Sequence, residues 1–159
     1  MQKISRHKTR TCLFQALYSK LHLEDSFSKE SFIESFFESD DSFIDKIYFD
    51  EAFDWIQENE GKLIYIINKF APKFDILSMP IINIIPIFIA WYEMLYLKCD
   101  KIPEKVSINE ALEMVKMYSD DQARVLVNWV LNSLKENKEK IIEELENIPN
   151  KNLFFKKYE

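Results

Sequence analysis

Apolar residues recur along this chain at the spacing of helices. Leu13, Ala16, Leu17 and Leu21 fall on one face of a helix predicted from Ser5 to about Leu21, with Phe14 and Tyr18 widening the stripe. Ser26 and Ser28 offer caps for a second helix over about 29–38, where Phe32, Ile33, Phe36 and Phe37 line up before ESDDS breaks the pattern. Helical spacing resumes with Ile44, Ile47, Tyr48, Phe53, Trp55 and Ile56. The ENEGK segment predicts a break, after which Leu63, Ile66, Ile67 and Phe70 predict a further helix ended by Pro72.

From Ile76 to Tyr92 no side chain is charged, a length at the short end of what spans a bilayer. Pro80, Asn83 and Pro86 interrupt it, and Glu93 follows directly. The spacing predicts a buried central helix over about 84–97, with Asn83 as cap and Pro86 in the first turn, where its missing N–H is harmless. The apolar run left is too short for a membrane span.

KCDKIPEK then reads as a loop, and two start signals follow. Ser107 and Glu110 have the spacing of a capping box, with Val106 and Ala111 at its staple positions. Ser119, Asp120, Asp121 and Gln122 repeat the device before a last helix that carries Val125, Leu126, Val130, Leu134, Ile141 and Leu145 to about Asn147. No segment alternates convincingly, so the expected fold class is all-α with about seven helices. A single domain over 1–150 is expected, followed by a basic and aromatic tail over 151–159. The tail aromatics Phe154, Phe155 and Tyr158 have three readings, which are contact with RNA or a partner, docking on the protein, or disorder.

The chain has 159 residues and a single glycine, Gly61, so neither the phosphate loop of a nucleotide-binding site nor a dinucleotide fingerprint can be written in it. Cys12, Cys99, His7 and His22 have no zinc-type spacing, so neither a metal site nor a cofactor is expected. Carboxylates are abundant, and solvated helix faces account for them; no enzyme activity is expected. The N-terminus has no signal-peptide core, and a cytoplasmic protein with reduced thiols is expected.

Charge changes this picture at one place. The net charge is -6, yet Lys3, Arg6, Lys8 and Arg10 stand in the first ten residues and the first acidic residue is Glu24. Arg6 and Arg10 lie four apart, in line with Leu13 and Leu17, so the core stripe of the first helix is expected to run on into positive charge beyond the packed bundle. Lys3, His7 and Lys8 surround that line. Such an arm could grip phosphates, with Phe14 or Tyr18 stacking on bases, or it could be a solvated terminus balancing an acidic body. Composition leaves both open. Cations in a first turn oppose the helix dipole by some tenths of a kcal/mol, a hint of a role other than stability.

Three stretches in order along the chain together resemble one family. SRHKTRTCLFQALYS is similar to the arginine-rich opening helix of the bacterial transcription antitermination factor NusB family, IFIAWYEML to its central helix with a tyrosine–glutamate pair (Tyr92 and Glu93), and IPEKVSINEALEMVKMYSDDQARVLVNWVLNSL to its C-terminal signature. The resemblance implies a fold of two packed helical bundles without a catalytic site. It also implies binding to boxA-type RNA of ribosomal RNA leader transcripts, together with a small-subunit ribosomal protein that doubles as NusE. The pair would join transcribing RNA polymerase and the other Nus factors. Carried over by residue, Lys3, Arg6, His7, Lys8 and Arg10 fall on or beside the basic RNA motif, and Gln15 and Tyr18 on the adjoining RNA and partner surface. Ser119, Asp120, Asp121 and Leu126 flank the same site, and Asn83 falls on the ribosomal-protein interface.

Some positions depart from the family pattern. His7 replaces an arginine and makes one charge pH-dependent. Asn83 stands for an acidic residue and Ile84 and Phe88 fall where arginines are usual, so Phe88 is expected to weaken RNA contact. Trp129 stands for glycine and is expected to fill space left by smaller neighbours or to displace the facing helix. Two alternatives stand beside the leading reading. One is a helical protein-interaction module that has lost specific RNA binding; the other is an RNA-guiding part akin to the helical domain of cytosine methyltransferases. Homodimerisation through the apolar and basic surface is a further possibility.

Overall fold

The computed structural model describes residues 4–39 (side chains to 36), 44–96, 102–150 and 154–155, which form helices and no strand. In chain order these are α1 (Arg6–Leu23), α2 (Lys29–Ser39), α3 (Lys46–Phe70), α4 (Ile81–Leu95), α5 (Glu104–Tyr118), α6 (Asp121–Glu136) and α7 (Lys138–Glu144). Lys3, Cys99 and the tail lysines lie outside the described residues.

The helices form two packed groups that share α4 as their common wall: α1 and α3 pack on one side of it, α5 and α6 on the other. The wall is the uncharged run singled out in the sequence, and Ile84, Ile85, Ile87, Phe88 and Trp91 within it are fully buried. Burying such side chains supplies about 1.5–3 kcal/mol each, which is why a helix without a polar face is stable here. Among the described residues no helix is long and apolar enough to cross a membrane.

Ser5 caps α1, its Oγ accepting from the Lys8 N–H at 3.1 Å. α1 ends at Glu24, which takes φ 48° where glycine is usual. The one glycine is instead inside a helix. α3 runs through ENEGK without stopping, contrary to the expected break, and Glu60 and Gly61 are both buried in it. The reason is tertiary. The Asn150 amide bridges the Glu58 carbonyl (2.5 Å) and the Lys62 N–H (3.3 Å), the two groups that a regular helix pairs with each other. The backbone N–H groups of Phe154 and Phe155 donate to Glu60 Oε1 at 2.5 and 2.6 Å, so at these two residues the chain docks on the protein.

Three further boundaries differ from the sequence reading. α4 starts one turn early, at Pro80, whose φ of -59° already suits a helix; Asn83 is therefore inside it and Pro86 lies beyond the first turn. α5 likewise starts from Pro103, which leaves Ser107 inside the helix rather than capping it. The predicted last helix is two. At Asn137 the backbone N–H is shared between the Ser133 and Leu134 carbonyls and the side-chain amide donates to Ser133 O at 2.7 Å, which turns the chain so that Ile141 can bury.

Candidate nucleic-acid interface

The first turns of α1 carry the cations singled out in the sequence, and each described arginine has a defined seat. Arg10 does not project beyond the bundle. It is only 4% exposed, and its guanidinium forks onto Glu93 of α4, Nε donating to Oε2 at 2.7 Å and Nη2 to Oε1 at 2.9 Å. The same carboxylate accepts from Tyr48 Oη of α3 at 2.5 Å and from Ser107 Oγ of α5 at 2.8 Å. Glu93 thus ties together α1, α3, α4 and α5. Burial alone would lower the Arg10 pKa, but the hydrogen bonds and charge of Glu93 outweigh it and hold the pKa above its ordinary value. Burial, with the Glu93 charge beside it, pushes the Tyr48 phenol far above its ordinary range.

The neighbouring cations also face acids. Arg6 Nη2 donates to Asp45 Oδ2 at 3.4 Å, and its guanidinium carbon lies 4.3 Å from the centre of the Tyr48 ring. Asp45 uses its other oxygen to cap α3, accepting from the Tyr48 N–H, and its own N–H donates to Thr9 Oγ1 at 3.0 Å. His7 Nδ1 is 2.9 Å from Glu110 Oε2, while Glu110 Oε1 lies 3.7 Å from Arg10 Nη1. His7 and Lys8 are exposed on the outer side of α1.

Further along α1 an aromatic row continues that side. Phe14 stacks on Tyr118 of α5 with centroids 4.5 Å apart, Tyr18 follows Phe14, and His22 meets Tyr18 edge-on. Gln15 Nε2 donates to Tyr118 Oη at 3.3 Å. The α5–α6 turn therefore lies against the middle of α1, which brings Ser119 and Asp120 beside Gln15 and Tyr18. Ser119 is exposed, and Asp120 rather than Ser119 caps α6, accepting from the Ala123 N–H at 2.8 Å.

Other predicted positions fall elsewhere. Asn83 is 3% exposed within α4, so the side chain expected to meet a partner protein is in the interior. Phe88 is fully buried beside Phe154, which makes it a core residue and not a missing surface cation. Trp129 neither fills a hole nor displaces a helix: it is 41% exposed and lines a surface groove with Leu126, Lys73 and Phe74. Val125, expected in the core, is exposed, as is Leu126.

Sequence reading missed Glu110 as an ion partner, Ser107 as a Glu93 ligand and Tyr118 as the bridge to α1. A signal for the buried pair was present. Glu93 is the first charge after a long apolar run and Arg10 lies on the core stripe of α1, and two buried opposite charges need each other. Among the described residues no cluster of His, Cys, Asp and Glu is suited to a metal ion.

This architecture defines an all-α bundle whose first helix is led by cations and pinned at its centre by a buried ion pair. The chain belongs to the NusB family, which it matches over residues 7–136. A transcription antitermination protein NusB of Clostridium perfringens is 31% identical over 137 residues, covering 84% of this chain and 98% of that protein. Its counterpart in Ligilactobacillus salivarius is 27% identical over 132 residues, covering 82% and 98%. NusB of T. maritima shares the fold with a TM-score of 0.65 at 22% identity, over 90% of this chain and 99% of that one. NusB proteins are transcription antitermination factors and not a known enzyme family.

Proposed function

We propose that this chain binds boxA-type RNA of ribosomal RNA leader transcripts together with the small-subunit ribosomal protein that serves as NusE, and so keeps transcribing RNA polymerase and its Nus factors processive. The observation that carries this reading is the junction of α1 with the α5–α6 turn through Gln15, Phe14 and Tyr118. It makes one continuous outer face of His7, Lys8, Gln15, Tyr18, Ser119 and Asp120. RNA phosphates would meet Lys3, Arg6, His7 and Lys8, and bases and the partner would meet the face around Gln15 and Tyr18. Arg10 would act as a positioning residue, holding the angle of α1 through Glu93.

Because Arg10 is internal, only about three lysine and arginine cations would neutralise phosphates, which predicts a log K against log salt slope of about -2 for single-stranded RNA. Anisotropy titration of boxA-type and scrambled RNA, with and without the ribosomal protein, tests the reading. Tighter binding of boxA with the protein present is expected. Equal affinity for both RNAs would overturn it.

A second reading, a protein-interaction module without specific RNA binding, is favoured by the pairing of Arg6, His7 and Arg10 with Asp45, Glu110 and Glu93. Under it the ribosomal protein binds without RNA, and Lys8→Glu changes nothing. Self-association through the α1 face would appear as a mass that rises with concentration in sedimentation.

A further inference from the structure

The exposed side of α6 is not used by the site described above. Val125 and Trp129 are four residues apart and Leu126 and Trp129 three apart, so all three are surface neighbours. Trp129, Leu126, Lys73 and Phe74 line one groove; Arg124, Val125 and Asn128 line the next, with Leu112 and Asp121. An exposed tryptophan beside an exposed lysine is a flat apolar face next to a cation.

We propose that this side of α6 is a subsite for single-stranded RNA, in which a nucleobase stacks on the Trp129 indole over Leu126 while Lys73 takes the adjoining phosphate. The inference rests on the RNA-binding reading above and extends the bound strand past the α5–α6 turn. Charge selects the occupant. From Gln122 to Lys135 helix α6 contains no carboxylate, although the chain has 27 acidic residues, and the polar groups along this stretch are Gln122, Arg124, Asn128, Asn132, Ser133 and Lys135. Cations and neutral hydrogen-bonding groups around an aromatic ring suit a polyanion with π faces better than a basic protein helix. A duplex would not serve, because its bases keep their faces stacked inside.

The test measures binding of a single-stranded boxA-type RNA, a U-rich oligonucleotide and a duplex to the full chain and to Trp129→Ala, Trp129→Phe and Lys73→Gln. Thermal unfolding of each variant confirms the fold, which an exposed side chain does not carry. Trp129→Ala should weaken single-strand binding about tenfold, while Trp129→Phe, which keeps a stacking ring, stays within about threefold. Lys73→Gln should reduce the salt slope by about 0.7. RNA should quench the fluorescence of Trp129 in the wild type. Unchanged RNA affinity in Trp129→Ala, or loss of the ribosomal protein alone, would overturn the inference and make this side a protein dock, leaving the boxA reading intact. Equal binding of boxA-type and U-rich RNA, both weakened by Trp129→Ala, would instead overturn boxA specificity and keep the subsite.

Discussion

Replacing Glu93 with alanine should destabilise the protein more than any single surface change. In the native state its carboxylate accepts two hydrogen bonds from Arg10, one from Tyr48 and one from Ser107, all within 2.5–2.9 Å. Deletion leaves a guanidinium 4% exposed without its counterion, together with two hydroxyls that have lost their acceptor. Breaking a buried ion pair from one side costs about 3–5 kcal/mol. For a chain of this size each kcal/mol lowers Tm by about 2–4 °C, so a fall of about 6–20 °C is expected. Urea unfolding of Glu93→Ala, Arg10→Met and the double variant would separate the pair from its surroundings. The double variant should be more stable than the two single losses added together predict, with coupling of about 2 kcal/mol or more. A loss below about 1 kcal/mol for Glu93→Ala, or strict additivity, would refute the claim that these charges depend on each other.

Asp120→Ala should cost about 1 kcal/mol in urea unfolding by removing the cap on the Ala123 N–H, and Asp120→Asn should recover most of it; equal losses would argue against a capping role. Burial pushes the Cys12 thiol from its ordinary 9.0 up to about 12 and raises the Tyr48 phenol as well. Both groups hold their protons longer folded than unfolded, so the stability they contribute is complete below about pH 9. It is then lost at about 1.4 kcal/mol per pH unit for each group as it ionises in the unfolded chain. Thermal unfolding from pH 8 to 11 should show this decline, and Cys12→Ala should lessen its onset between pH 9 and 10. Glu60→Ala removes the acceptor of the Phe154 and Phe155 N–H groups, and amide exchange at those two positions should accelerate by at least tenfold, with Glu60→Gln between. Unchanged exchange would mean the tail is held by its rings alone.

The helix pattern was legible because apolar spacing is a local property, and α1, α4 and α6 lie close to where their stripes place them. What the sequence hid is decided by partners far along the chain. Ser107 and Glu110 spell a capping box, but Pro103 has already begun the helix, and Ser107 Oγ is drawn to a carboxylate in α4. Gly61 looks like a stop, yet a glycine inside a helix costs only about 1 kcal/mol against alanine, and the Asn150 amide attends to the backbone around it. Of the candidate site, the gathering of Gln15, Tyr18, Ser119 and Asp120 on one side agrees with the resemblance. The fate of Arg10 does not follow from counting charges, because its acid partner is 83 residues away.

The four-helix junction at Glu93 also bears on how the molecule assembles. Arg10 and Tyr48 belong to one group of helices and Glu93 and Ser107 to the wall and the group beyond, so neither group can complete its interior while the other is unfolded. A half-formed chain would hold an ion stranded in an apolar setting, and water would compete for it until the second group arrived. Folding should therefore be all-or-none across both groups, with no stable half. The same chemistry makes the chain hard to divide: a cut between α3 and α4 would give two fragments that each need the other's charge.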